Sequence, residues 1–290
     1  MVPSFVTMKR LLLGLAIVAM TAYGGAVIWL ASHETALIFE PGRPLGELRP
    51  RLPFEEVIID AESGRQPAWI VRAQPPSTPR ANALPGTRPW VLYLHGNDAN
   101  IATRLNILHY EQLARLGLNV MAPEYRGYAG LTGIPTEAGL ARDARAAYDY
   151  LRQRLHAAPQ QIVIYGWSLG SAVAVHLASQ VDEAAVILEG APASIVDIGR
   201  QRYPFLPIGL LIRNPFESIT RISRVGAPLL FLHSPEDTII PIAEGRRLFD
   251  AALPPKAFVE VGGGHVYASE ADPRFFPAVA AFLRTHRVLP

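Results

Sequence analysis

The chain has 290 residues, half of them hydrophobic and 18% charged, with a formal net charge of +2 and no cysteine. This composition excludes a chain disordered throughout, a disulfide framework, a cysteine nucleophile and a thiolate metal site. Of the 27 basic residues only two are lysines, so 25 are arginines, but they are scattered among 25 acidic residues and form no basic stripe. We therefore expect no nucleic-acid partner.

The first predicted element is an apolar segment near the N-terminus. Residues 11–31 are 21 positions without a charged side chain. As a helix they would span about 31 Å, which matches a hydrocarbon core of about 30 Å. Lys9 and Arg10 precede the segment, and Trp29 stands where an interfacial aromatic would. The positive-inside bias then places residues 1–10 in the cytoplasm and the rest of the chain on the non-cytoplasmic (periplasmic) side.

A cleaved signal peptide is the alternative interpretation of the same segment. The apolar region of such a peptide usually runs about 7–15 residues and ends at a small-residue cleavage site. Residues 11–31 form a longer run, and no clear cleavage site follows it. The pattern favours a retained single-pass transmembrane anchor, through which the membrane is a partner of this protein.

Residues 32–53 read as a linker, and residues 54–290 as one domain. Its strands are apolar runs of strand length, and residues 74–89 read as a surface loop. The predicted strands are Phe54–Asp60 and Trp69–Arg72, split by a turn at Ser63-Gly64, then Trp90–Leu94, Asn119–Ala122, Gln161–Tyr165, Ala185–Leu188, Pro228–Leu232 and Ala257–Val261.

Three amphipathic or apolar stretches between these strands and one after the last strand predict helices. The predicted helices cover residues 101–116 before Gly117, 140–155 after a Thr136 N-cap, 171–178 and 275–283. Apolar strands that alternate with such helices favour an α/β domain with a mostly parallel central sheet covered on both faces.

An insertion at residues 190–224 separates two predicted strands. It contains four prolines and the apolar stretch Phe205–Ile212. One interpretation is a small lid that receives an acyl or other apolar group. The other is an ordinary helical connection packed on the sheet, and the sequence leaves both open.

The strongest chemical motif is G-x-S-x-G at Gly166–Gly170, centred on Ser168. It follows a predicted strand and precedes a predicted helix, which is the context that this motif requires. The flanking glycines permit a tight turn that lifts the hydroxyl above the sheet. A serine hydroxyl is a weak nucleophile and needs an adjacent base.

Candidate partners for Ser168 follow two later strands. Asp237 comes after strand 228–232, and His265 comes after strand 257–261. In open α/β sheets, sites form at the carboxyl ends of strands, so we expect these side chains to meet there. His265 would take the proton of Ser168, and Asp237 would orient the imidazolium; Glu236 is the rival acid.

The loop His95-Gly96-Asn97 follows the first long apolar strand. In this fold that loop and the residue after the nucleophile supply an oxyanion hole, so the backbone N–H groups of Asn97 and Leu169 are the candidates. The alternative is a plain His-Gly turn. The segment Glu124–Tyr128 reads as bracing of the same rim. No H-E-x-x-H or comparable spacing occurs, so we expect neither a metal nor a cofactor.

Together these motifs resemble the α/β-hydrolase superfamily over about residues 54–287. The chain looks most similar to its single-pass, membrane-anchored α/β-hydrolase-domain proteins, which share the N-terminal anchor, Tyr203–Pro207 and Ile240-Pro241. Some eukaryotic relatives are palmitoyl-protein thioesterase-like, and the resemblance also touches the serine aminopeptidase-like group. Ser234 stands where relatives often have Gly, and Val266 where thioesterase-like members often have Asn.

The sequence and the resemblance predict a serine hydrolase that cleaves carboxylic ester or thioester bonds of a small-molecule or acylated substrate through an acyl-enzyme. A peptidase or amidase with the same triad is one alternative. An aminopeptidase needs acidic groups for the substrate ammonium, and residues 190–224 have five arginines but only Asp197 and Glu217 as acids. A non-catalytic membrane-bound scaffold is the other alternative. The sequence names no protein partner.

Overall fold

The computed structural model describes residues 5–41, 44–62, 64–74 and 88–290. Ser63 of the predicted turn and most of the predicted loop 74–89 lie outside the described residues. The strands of the described part are β1 (Phe54–Ala61), β2 (Gly64–Val71), β3 (Trp90–Leu94), β4 (Asn119–Pro123), β5 (Ile162–Trp167), β6 (Ala185–Glu189), β7 (Leu229–His233) and β8 (Lys256–Glu260).

These strands form one sheet in the order β1-β2-β4-β3-β5-β6-β7-β8. β2 is antiparallel to both of its neighbours, and all the pairs from β4 to β8 are parallel. Strands β3, β5, β6 and β7 are buried along their whole length, which is why their sequences are continuous apolar runs. The mostly parallel sheet that the sequence predicted is confirmed.

Helices cover both faces of the sheet. The helices of the described residues are α1 (Phe5–Phe39), α2 (Arg104–Arg115), α3 (Glu137–Gln153), α4 (Leu169–Ala178), α5 (Ile195–Arg202), α6 (Ile208–Leu211), α7 (Ile242–Ala251), α8 (Gly264–Ala271) and α9 (Phe275–Thr285). One apolar core lies between the sheet and α3, α4 and α7, and a second lies between the sheet and α2 and α9. The Thr136 side chain accepts a hydrogen bond from the N–H of Gly139, as expected of an N-cap.

Helices α7 and α8 are not among the predicted helices. α7 is amphipathic, with Leu248 fully buried on its apolar face, so the sequence analysis missed a helical pattern that was present. α8 begins at Gly264, directly after glycines that read as a loop. His265 therefore lies in the first turn of a short helix. Helix α2 begins at Arg104, three residues after the predicted start.

The N-terminal helix is longer than the predicted anchor. α1 is long and apolar enough to cross a membrane over Met8–Phe39. Residues 32–39, which were predicted as the start of the linker 32–53, belong to this helix. The helix continues because its last turns pack on the domain. Phe39 is fully buried against the ring of Phe216, and its carbonyl accepts a hydrogen bond from Tyr128 Oη.

A buried carboxylate joins α1 to the insertion 190–224. Glu34 Oε1 accepts hydrogen bonds from the backbone N–H groups of Arg213 at 2.6 Å and Asn214 at 2.8 Å. Glu34 Oε2 accepts another from the guanidinium Nε of Arg213 at 2.9 Å. Because buried N–H groups need acceptors, this side chain satisfies a turn of the insertion that has no regular structure. The end of α1 is therefore part of the domain.

We predict that Glu34→Ala lowers the melting temperature of the full chain in detergent by several degrees. The substitution leaves the backbone N–H groups of Arg213 and of the buried Asn214 without their acceptor, at a cost of about 1–3 kcal/mol. Thermal unfolding followed by circular dichroism measures the change. Glu47→Ala, at an exposed position before β1, is the matched control. Equal melting of the two variants would contradict the structural role of Glu34.

Candidate active site

The turn after β5 places Ser168 above the carboxyl end of the sheet. Ser168 stands at the N-cap of α4 with φ +54° and ψ −121°, a backbone conformation that residues other than glycine rarely adopt. The flanking glycines are needed for space. A Cβ at Gly170 would lie 2.0 Å from the carbonyl oxygen of Leu94, and one at Gly166 would lie 2.4 Å from that of Gly170. The motif thus lets α4 start directly against β3, with the strain carried by Ser168.

The three side chains predicted to act together are in hydrogen-bond contact. His265 Nε2 lies 2.8 Å from Ser168 Oγ, and His265 Nδ1 lies 2.6 Å from Asp237 Oδ2. With a neutral imidazole, Nδ1–H donates to the carboxylate and Nε2 accepts from the hydroxyl. Glu236, the rival acid, instead accepts a hydrogen bond from the N–H of Gly263 at 3.3 Å. The geometry favours Asp237.

The carboxylate of Asp237 is held in its ionised form. Burial by itself would raise the pKa of Asp237, but the hydrogen bonds from His233 and His265 and from the N–H of Ile240 outweigh it, so the pKa lies well below its ordinary value. Asp237 Oδ1 accepts from the N–H groups of Ile239 and Ile240 at 2.9 and 2.8 Å. A carboxylate that stays charged can keep the proton on His265 Nδ1.

Sequence reasoning missed the support that His233 gives to Asp237. His233 is the last residue of β7, and its Nε2 lies 2.9 Å from the carbonyl oxygen of Ile240 and 3.4 Å from Asp237 Oδ2. Both side chains are almost fully buried. A histidine that ends a buried strand four residues before the candidate acid was the available signal.

Glu189, at the end of β6, was also missed. Its carbonyl oxygen accepts hydrogen bonds from the N–H of Ser168 at 2.8 Å and from Ser171 Oγ at 3.0 Å. Its carboxylate accepts from Tyr165 Oη at 2.6 Å and lies 3.0 Å from His109 Nε2. Burial would lower the pKa of His109, but the charge and hydrogen bond of Glu189 outweigh it and raise the pKa. A single acid closing an apolar strand was the signal.

The loop after β3 is braced by a second buried pair, as predicted for the segment Glu124–Tyr128. His95 Nε2 lies 2.8 Å from Glu124 Oε1, and both side chains are buried. The other carboxylate oxygen accepts a hydrogen bond from the N–H of Ile101 at 3.0 Å. The pair thereby fixes both ends of the turn that contains Asn97.

Both predicted oxyanion-hole residues lie beside Ser168. Asn97 and Leu169 line the same cavity as Ser168. Leu169 is the first residue of α4, where backbone N–H groups have no acceptor within the helix. The loop approaches closely at Gly96, where a Cβ would lie 3.2 Å from Ser168 Cβ. The arrangement suits an anion that develops next to Ser168 Oγ.

The cavity over Ser168 has a volume of about 400 Å³ and a mostly apolar lining. Its wall comes from three parts of the chain: the end of α1, the insertion 190–224 and the loop after Asp237. The apolar lining residues include Leu30, Leu37 and Ile38 from α1, Ile195, Ile198, Ile208, Leu211 and Ile212 from the insertion, and Ile239 and Ile240 from the loop. A cavity of this size and lining accommodates an apolar chain.

No cluster of three or more His, Cys, Asp or Glu side chains within the described ranges is arranged to hold a metal ion. A second, more polar cavity of about 550 Å³ lies away from Ser168, and Glu137, His176 and Arg221 are among its lining residues. Arg221 is paired there with Glu137 at 2.8 Å. None of the three candidate catalytic side chains is among its lining residues.

Comparison with known proteins gives the same fold and family. A profile of the Alpha/beta hydrolase family matches residues 91–222. The uncharacterized protein Rv2307c of Mycobacterium tuberculosis (strain ATCC 25618 / H37Rv) is 36% identical over 279 residues, which cover 94% of this chain and 95% of that relative. The lysophosphatidylserine lipase ABHD12 of Danio rerio is 30% identical over 59% of this chain and 49% of its own length.

Among solved structures, the esterase Pf2001 of Pyrococcus furiosus is similar with a TM-score of 0.69 and 18% identity, over 86% of this chain and 98% of that one. This similarity and the sheet of the present chain confirm the α/β-hydrolase fold that the sequence predicted. This chain belongs to the alpha/beta hydrolase family.

We predict that Gly190→Ala slows the reaction of Ser168 with a fluorophosphonate probe about 10- to 100-fold while the domain stays folded. Gly190 has φ +55°, and a Cβ there would lie 3.2 Å from both Cε1 and Nδ1 of His265. The imidazole must shift, and small displacements of a reacting group have large effects on rate.

Gly226→Ala is the control, because a Cβ at that exposed position meets no atom within 4 Å. Labelling rates from gel fluorescence and melting curves are compared for both variants. Normal labelling of the Gly190 variant would mean that the position of His265 does not depend on this close approach.

Proposed function

We propose that this protein is a membrane-anchored serine hydrolase that cleaves carboxylic ester or thioester bonds of substrates with an apolar acyl group. The observation that carries the proposal is the continuous hydrogen-bond chain from Asp237 through His265 to Ser168, which ends in an apolar cavity. A hydroxyl beside an imidazole that is oriented by a charged carboxylate is the arrangement needed for nucleophilic catalysis.

In the first half-reaction, Ser168 Oγ attacks the carbonyl carbon and its proton passes to His265 Nε2. The negative charge that develops on the carbonyl oxygen is stabilised by the backbone N–H groups of Asn97 and Leu169. Removing one such donor typically costs about 2.7–4 kcal/mol of transition-state stabilisation. The bond to the leaving group then breaks, His265 returns the proton to that group, and the acyl group stays on Ser168.

In the second half-reaction, water replaces the leaving group. His265 takes a proton from the water, whose oxygen attacks the acyl carbon, and the proton then returns to Ser168 Oγ as the carboxylic acid leaves. Asp237 remains ionised through both steps, because its pKa lies well below its ordinary value. The triad needs no metal or cofactor for this sequence of steps.

The choice of an apolar acyl substrate rests on the cavity wall. The insertion 190–224 contributes isoleucine and leucine side chains to it, which supports the lid interpretation over that of a plain connection. Two similar proteins are an esterase and a lysophosphatidylserine lipase, and both names denote hydrolysis of acyl esters. We infer that the acyl chain lies along this wall, with its carbonyl carbon beside Ser168.

The anchor belongs to the same proposal. Helix α1 would hold the hydrolase domain at a membrane, with residues 1–10 in the cytoplasm and the domain on the periplasmic side. The charges of Lys9 and Arg10 support this orientation. The length and apolar character of Met8–Phe39 support a membrane span.

We expect the full chain in detergent to hydrolyse p-nitrophenyl esters, with an optimum chain length set by the apolar cavity. Ser168→Ala should reduce kcat at least about a thousandfold, since the nucleophile is lost. Ser223→Ala removes the hydroxyl of an exposed serine and should leave the rate unchanged. The rate of p-nitrophenolate release measures the activity of the wild type and of both variants. Equal rates for the Ser168 variant and the wild type would rule out Ser168 as nucleophile.

We also expect the orientation of the anchor to depend on the charges before it. A C-terminal reporter that is active only in the periplasm should be active on the wild-type chain. Replacement of Lys9 and Arg10 by glutamate should lower that activity and raise the activity of a matching cytoplasmic reporter. A reporter pair that reads the cytoplasm for the wild-type chain would overturn the proposed orientation.

A further inference from the structure

The insertion 190–224 exposes large apolar side chains next to the cavity. Phe205, in a turn, is 87% exposed, and Leu210, in α6, is 88% exposed. Tyr203 is also exposed. Neither Phe205 nor Leu210 lines the cavity, so their exposure is not explained by an empty substrate site. Exposed apolar side chains that lie close together usually mark a surface that binds a protein, a membrane or a ligand.

The position of α1 indicates what this surface meets. Ile208 of α6 and Val196 of α5 pack with Leu30 in a small apolar cluster. Leu30 lies within the last turn of residues 11–31, about 30 Å along the helix from Leu11, so it stands where α1 would leave the hydrocarbon core. Trp29, next to it, is exposed, as expected of an aromatic at a membrane interface.

Hydrogen bonds fix the insertion to α1. They hold the insertion close to the point where α1 would leave the hydrocarbon core. The carboxylate of Glu34 binds the backbone of residues 213 and 214 and the guanidinium of Arg213. Glu34 lies one turn of helix beyond Leu30. Contacts on both sides of α6 therefore hold the tip with Phe205 and Leu210 beside the exit of α1 from the bilayer.

We propose that the tip at residues 203–210 docks on the lipid bilayer, with Phe205 and Leu210 inserted among the lipid acyl chains. This surface, the lid tip, would act with α1 as a second membrane contact. The exposed Arg202 flanks the tip and suits the phosphate groups of lipid headgroups. The proposal rests on the membrane-anchored hydrolase proposed above.

Membrane docking of the lid tip defines the substrate more closely. Leu30, Leu37 and Ile38 of α1 line one side of the cavity, and residues of α6 line another. A cavity bounded by these two elements lies next to the bilayer. A lipid acyl chain can therefore pass along α1 to Ser168 without crossing water. The substrates that this arrangement favours are long-chain esters dissolved in the membrane.

The chain has no cysteine, so single-cysteine variants of the full chain report one position each. Phe205→Cys and Leu210→Cys carry an environment-sensitive NBD label and are reconstituted in phosphatidylcholine vesicles. Leu253→Cys is the control. This residue is also exposed, at 52%, but it lies before β8, at the amino ends of the parallel strands, whereas Ser168 lies at their carboxyl ends.

Labels at 205 and 210 should be quenched by a nitroxide carried on the lipid chains and protected from iodide in the water. The label at 253 should show the reverse. Should all three labels respond to iodide alike and none to the lipid-borne nitroxide, the lid tip lies in water and the membrane proposal is overturned. A protein partner would then be the remaining occupant of this surface.

Kinetics of an unlabelled double variant, Phe205→Ser with Leu210→Ser, test the consequence for substrates. Hydrolysis of a long-chain ester dissolved in the vesicles should fall about tenfold, because the apolar contact with the bilayer is lost. Hydrolysis of p-nitrophenyl acetate in water should be unchanged, and Leu253→Ser should change neither rate. A fall of both rates by the same factor would contradict the proposal, since it would indicate a damaged active site.

The two proposals fail in different ways. If the wild-type chain hydrolyses no ester, the proposed function is wrong, while the NBD labels still decide whether the lid tip meets lipid. If ester hydrolysis depends on Ser168 but the labels at 205 and 210 stay in water, the hydrolase stands and membrane docking is wrong.

Discussion

The close approach of α4 to β3 is the constraint on which the rest of the site depends. The carbonyl oxygen of Leu94 lies where a Cβ of residue 170 would be, so only glycine lets the helix begin at this point. That start forces Ser168 into a strained turn and leaves the N–H of Leu169 free of an intrahelical acceptor. The hydroxyl of Ser168, the proposed oxyanion donor and the neighbouring loop at Gly96 are all positioned by this one contact between a helix and a strand.

The strain at Ser168 persists because several hydrogen bonds oppose its relaxation. The N–H of Ser168 donates to the carbonyl of Glu189, and that residue is itself held by Tyr165 and His109 inside the domain. On the other side, Glu124 fixes the loop after β3. A strained residue is stable when its surroundings over-determine it, and here two buried acids at the ends of parallel strands do so.

Local patterns were enough to predict the sheet and the proximity of Ser168, Asp237 and His265. Parallel strands end at a common edge, so residues that follow their carboxyl ends meet whatever the loops between them do. His233 and Glu189 stand at the ends of such strands and could have been found in that way, but Glu34 could not. Glu34 binds residues 179 and 180 positions away, and its role depends on α1 continuing past the charge-free segment. Such contacts follow from tertiary packing, which no local periodicity encodes.

Because α1 continues into the domain, the N-terminal helix is also a structural part of the cavity. A tether joined by a flexible linker would leave the domain free to turn, and its cavity would have no fixed direction relative to the bilayer. Here Leu30, Leu37 and Ile38 are both the end of the helix and a wall of the cavity, and Glu34 fixes the same turns to the insertion. If α1 crosses the bilayer as proposed, its direction also sets the direction in which the cavity faces. Removing α1 would therefore remove part of the wall of the cavity over Ser168.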